Sequence, residues 1–132
     1  MKQTRVSFAS GELVLEGILA IPEGAGPFPV IIVCHPHPLY GGSMDNNVVY
    51  SLSKTLTQAS LASFKFNFRG VGGSQGEFSR GIGEQEDVSA AISFITTVKG
   101  VDAKRIGLAG YSAGAGFALS VGFKDARITA LV

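Results

Sequence analysis

The stretch Gly107-Leu108-Ala109-Gly110-Tyr111-Ser112-Ala113-Gly114-Ala115-Gly116 (GLAGYSAGAG) decides how this chain is read. An apolar run ends at Gly110, a run of small residues begins at Ala113, and Ser112 stands between two glycines. G-x-S-x-G between a buried strand and a helix is the pattern of a nucleophile elbow, a sharp turn that lifts the serine to the strand tip. Glycines two residues to either side, Gly110 and Gly114, let strand and helix approach without side-chain clash. The helix that starts there aims free N–H groups at an anion formed at the serine. The plainer alternative is a glycine-rich turn whose serine caps the helix.

Working outward, the required context is present on both sides. Arg105 to Gly110 reads as a buried strand and Ser112 to about Phe123 as a helix. Ile128 to Val132 opens a further strand. Towards the N-terminus, Val30-Ile31-Ile32-Val33-Cys34 is a continuous β-branched run suited to a strand covered on both faces. Leu61 to Phe68 is another, with Phe64, Phe66 and Phe68 on one side. Val48, Val49, Leu52, Leu56 and Ala59 recur at helical spacing and place one helix over about 46–59, which Asp45 or Ser43 can cap. A second runs over 83–98, with Val88, Ala91, Ile92 and Ile95 buried and Glu84, Glu86 and Asp87 at its start, where the helix dipole favours acids. Residues 3–8 and 12–21 alternate about Ser10-Gly11 and read as an antiparallel hairpin. A hairpin followed by alternating strands and helices predicts one α/β domain over 1–132: a mostly parallel sheet with helices on both faces.

Composition narrows the function classes. Eleven basic and ten acidic side chains among 132 residues leave a net charge of +1, which offers no footprint for nucleic acid or an anionic membrane. The longest apolar run is far short of the roughly 20 residues of a membrane span. A single cysteine, Cys34, excludes an internal disulfide and, with no leader-like N-terminus, predicts a cytoplasmic address. Cys34 lies in an apolar strand and reads as a core residue. No G-K-[ST] occurs, and Gly70-Val71-Gly72-Gly73-Ser74-Gln75 lacks the last glycine of a dinucleotide fingerprint, so nucleotide binding is disfavoured. No cofactor and no metal is expected, and the oligomeric state is not set by the sequence.

Three motifs at the ends of successive strands agree: His35-Pro36-His37-Pro38, Asn67-Phe68-Arg69-Gly70-Val71-Gly72-Gly73-Ser74, and the turn at Ser112. Together they resemble the α/β-hydrolase superfamily, in particular its small lidless branch near the dienelactone hydrolases. The resemblance implies acyl transfer to Ser112 from a small-molecule acyl substrate, such as an ester, thioester or lactone. It implies that HPHP is the oxyanion loop. Pro36 and Pro38 have no N–H to donate, which leaves His37, Leu39 or Tyr40. By the motif, His37 supplies one backbone N–H and Ala113 the other.

From the residues alone, other uses of His35 and His37 stay open: a metal pair, a base for Ser112, or a structural loop. Arg69 is expected to be architectural and to pair with Asp87 or Glu84.

The superfamily order is serine, then acid, then histidine. After Ser112 the sequence offers only Asp125 as an acid, placed on a loop away from the site, and no histidine. The expectation is that acid and base lie beyond Val132 and that 1–132 is the N-terminal part of a longer hydrolase, its last strands missing. Two alternatives stand beside it: a peptidase of the same superfamily, and a truncated or non-catalytic module of this fold.

Overall fold

A computed structural model describes residues 2–132, in which the apolar runs become one six-stranded sheet. In chain order the elements are β1 (Lys2–Ser10), β2 (Leu13–Ile21), β3 (Phe28–Cys34), a 3-10 turn (Pro38–Tyr40), α1 (Asn47–Gln58), β4 (Ala62–Phe66), α2 (Ile82–Ile95), β5 (Val101–Gly110), α3 (Ala113–Gly122) and β6 (Ile128–Leu131). The strand order is β1-β2-β4-β3-β5-β6. The pairs β1–β2 and β2–β4 are antiparallel, and β4, β3, β5 and β6 run parallel. The expected hairpin and mostly parallel sheet are therefore both present. The longest helix has 14 residues. Among the described residues no helix is long and apolar enough to cross a membrane.

Successive side chains of a strand point to opposite faces, and β4 sorts the molecule accordingly. Phe64 and Phe66 face α2 and α3, where Phe8, Phe94, Phe68 and Phe117 join them in a chain of ring contacts 4.9–6.0 Å apart. Phe64, Phe66 and Phe68 are fully buried, and each such ring contributes about 1.5–3 kcal/mol of burial. Val88, Ala91, Ile92 and Ile95 of α2 close this layer, as their spacing predicts. Ser63 and Lys65 point the other way, towards α1. There the reading of the helix needs correction. The face of α1 turned to the sheet is Val49, Ser53 and Thr57, whereas Val48 is 41% exposed. The cap is Asn46, whose side chain accepts from the N–H groups of Val48 and Val49, not Asp45 or Ser43.

The parallel strands β3, β4 and β5 are adjacent, so the segments after their C-terminal ends gather at one end of the sheet. These are the HPHP segment, the NFRGVGGS segment and the Ser112 turn. Connections of this kind are where ligands meet α/β sheets.

Candidate active site

At the end of β5 the chain turns into α3 within two residues. Ser112 takes up that turn with φ 59° and ψ −124°, a left-handed conformation uncommon for a residue with a side chain. Its neighbours explain why they are glycines. A Cβ on Gly110 would strike the backbone of Ala115, and one on Gly114 would strike the carbonyls of Cys34 and His35. Gly116 has open space around its Cα and is not required for the turn. The Ser112 side chain makes no capping bond to the helix, so the plain capping role is not the one it has. It is exposed, and its hydroxyl has no hydrogen-bond partner among the described residues. The N–H of Ala113, at the first position of the helix, is likewise unpartnered.

The HPHP loop lies directly against this turn. Tyr111 donates its N–H to the Cys34 carbonyl at 3.3 Å, and Gly114 packs on the next carbonyl along. The loop then folds back on itself. The His37 carbonyl accepts from the N–H groups of Tyr40 at 3.1 Å and Gly42 at 3.0 Å. Gly41 supplies φ 80°, and a side chain on Gly42 would strike the Pro36 carbonyl. This geometry consumes the carbonyl of His37 but leaves its N–H without a partner among the described residues.

The two histidines have different fates. His35 is fully buried. Its Nδ1 lies 2.7 Å from the Pro36 carbonyl, and its Nε2 lies 3.1 Å from the Phe68 nitrogen. An N–H must donate to the carbonyl, so Nδ1 carries the ring proton and Nε2 accepts from Phe68. Burial pushes its pKa down to about 4, against the opposing effect of the Pro36 carbonyl. With both nitrogens engaged, His35 has no site for a serine proton. His37 stacks on Tyr40 and Phe78, with ring centroids 4.7 and 5.0 Å away. Its Nδ1 accepts from the Leu39 N–H at 3.1 Å, which leaves the ring proton on Nε2. Neither ring hydrogen-bonds Ser112.

This fold is shared with solved proteins. A structure of an α/β serine hydrolase homologue from Coxiella burnetii is 37% identical and superposes with a TM-score of 0.85, over 96% of this chain and 60% of that one. A lidless member of the α/β serine hydrolases from Xanthomonas campestris is 32% identical with a TM-score of 0.83, over 93% of this chain and 56% of that one. The chain shares the α/β-hydrolase fold with these proteins. An uncharacterised protein from Rickettsia prowazekii is 49% identical over 67 residues, which is 51% of this chain and 28% of that protein. The chain thus spans less than two thirds of these relatives' own length. No protein-family model matches the sequence.

Beneath the site, the chain fixes its loops with buried polar groups. Arg69 pairs with Asp87, Nη2 to Oδ1 at 2.8 Å, and its Nε and backbone N–H reach the same carboxylate. Ser10 Oγ completes the shell of Asp87 at 2.7 Å. Of the two acids expected for Arg69, Asp87 is the partner. Glu84 turns the other way and accepts from Ser79 and from the Gly81 N–H at 2.8 Å. Gly83 packs under the guanidinium, where a Cβ would collide with it.

A second cluster was not apparent from sequence. Glu16 accepts from the Gly73 N–H at 2.6 Å, the Asn67 amide at 2.7 Å and Arg5 at 3.2 Å. The Gly73 bond is the largest influence holding its carboxyl below the usual range, and partial burial opposes it. Asn67 also accepts from the Met44 N–H at 2.8 Å, joining the loop before α1 to the end of β4. The alternation of β2 places Glu16 on the α1 face, but its partners follow β4 in sequence and only the fold brings them together.

Asp125 lies after the C-terminal end of α3, whereas Ser112 precedes its N-terminus, and its carboxylate is bound by Arg127 at 2.7 Å. Among the described residues no three His, Cys, Asp or Glu side chains cluster as metal ligands.

Proposed function

We propose that Ser112 is the nucleophile of a serine hydrolase acting on a small ester, thioester or lactone-type substrate. The hydroxyl attacks the acyl carbon, the leaving group departs, and water then releases the acyl group from the serine. The N–H groups of Ala113 and His37 are the oxyanion donors in this reading. Both lack partners among the described residues, and an oxyanion hole needs donors that are free and held in place. The observation that carries the proposal is the conformation of Ser112, held with a positive φ between two sterically required glycines, its hydroxyl uncommitted. The solved structure from Xanthomonas campestris, described as a serine hydrolase without a lid, supports the same reaction class.

The reaction also needs a base and an acid to orient it. His35 is fully engaged, His37 holds its free nitrogen as a donor, and Asp125 is at the wrong end of α3. The proposal therefore assigns both roles to the portion of such relatives that this chain does not span. The engaged histidines also favour a second reading, a non-catalytic module of the same fold. Hydrolysis of p-nitrophenyl acetate by the full-length protein separates the two. The hydrolase reading expects turnover that Ser112→Ala lowers by at least about a thousandfold. The module reading expects no turnover above that of Ser112→Ala.

A further inference from the structure

We propose that the cavity between α1 and the sheet, remote from Ser112 in sequence and on the opposite face from α3, binds a small oxyanion of the phosphate class. The cavity encloses about 80 Å³ and is lined by Gln3, Ala20, Tyr50, Ser53, Lys54 and Lys65. One water occupies about 30 Å³ of liquid volume, so there is room for more than a single water.

One buried group in it lacks the partner that burial demands. Ser53 is 8% exposed, and its Oγ is the buried side-chain oxygen without a hydrogen bond among the described residues. The Lys65 side chain is mostly covered, its ammonium lies 5.5 Å from the centroid of the Tyr50 ring, and among the described residues no carboxylate pairs with it. Buried hydroxyls are normally hydrogen-bonded.

The surroundings select the sign of the ligand. No acidic residue occurs in α1. Glu16, on the same face of β2, is occupied by Gly73, Asn67 and Arg5. Glu23 shares the neighbouring surface with Lys54 but does not line the cavity. What remains is a donor set: two ammonium groups, the Ser53 and Tyr50 hydroxyls and the Gln3 amide. An acceptor-only ion satisfies all of them. Lys65 and Ser53 form the floor, and the exposed Gln3, Tyr50 and Lys54 form a rim through which the ion enters.

The test is calorimetric titration of the full-length protein with inorganic phosphate at constant ionic strength, with chloride as the control. Saturable phosphate binding is expected, weakened at least tenfold by Lys65→Met and severalfold by Ser53→Ala, and unchanged by Ser112→Ala. Ser53→Ala removes an unpartnered hydroxyl, so in phosphate-free buffer it should be at least as stable as the parent and serves if Lys65→Met fails to fold. Absence of saturable phosphate binding overturns the proposal, as does binding that Ser53→Ala leaves unchanged. Because Ser112→Ala retains the cavity, failure here is distinguishable from failure of the hydrolase reading.

Discussion

The Nε2 of His35 accepts the backbone N–H of Phe68 at 3.1 Å, so a side chain of the loop after β3 is fastened to the main chain after β4. This bond requires the neutral ring. The pKa of His35 falls from an ordinary 6.5 to about 4 on folding, chiefly through burial. Between those values the unfolded chain binds a proton that the folded chain refuses. The stabilisation is complete above pH 6.5 and is lost as pH falls towards 4. Its full size is ~3 kcal/mol. Urea unfolding of the parent and of His35→Asn between pH 4.5 and 7 checks this. The parent should lose stability more steeply than the variant, and parallel profiles would contradict the account.

The Arg69–Asp87 pair predicts a strong asymmetry between neighbouring acids. Asp87 is fully buried and is bonded by Arg69 and Ser10, so Asp87→Ala leaves a guanidinium without its main partner. Breaking a buried pair on one side costs about 3–5 kcal/mol. Glu86 meets the same arginine at 3.4 Å with its side chain 68% exposed, and Glu86→Ala should cost less than about 1 kcal/mol. Denaturant midpoints of the two variants measure the difference directly.

Gly114 and Gly116 stand two residues apart in α3 but should respond oppositely to alanine. At Gly114 the new methyl meets the Cys34 and His35 carbonyls, which are backbone and cannot swing aside. Overpacking of this kind costs about 1–3 kcal/mol, and here it also displaces the HPHP loop. At Gly116 no atom lies within 4 Å of the added carbon, so alanine should gain up to about 1 kcal/mol from helix propensity. Thermal unfolding of both variants tests the pair, and equal effects would argue against the packing described.

The architecture was legible because its signals are local. Continuous apolar runs such as Val30–Cys34 mark the strands, and the strand-to-helix setting around Ser112 marks the turn. The buried face of α1 was not legible because periodicity gives a helix its stripe but not what opposes it. The sheet offers Ser63 and Lys65 there, and polar Ser53 and Thr57 face them while Val48 turns outward. The asparagine cap was adjacent to the residues favoured for it. The commitment of His35 lay beyond sequence reasoning, since it depends on the Phe68 N–H, 33 residues away in the chain. The acids at the start of α2 were visible, but only the fold separates the one that meets Arg69 from the one that closes on Ser79 and Gly81.

The central claim is that Ser112 is a nucleophile. Reaction of the full-length protein with a fluorophosphonate, followed by peptide mass mapping, tests it most directly. The account predicts one covalent adduct on Ser112, abolished in Ser112→Ala and retained in Lys65→Met. A folded full-length protein whose Ser112 peptide stays unmodified would contradict it.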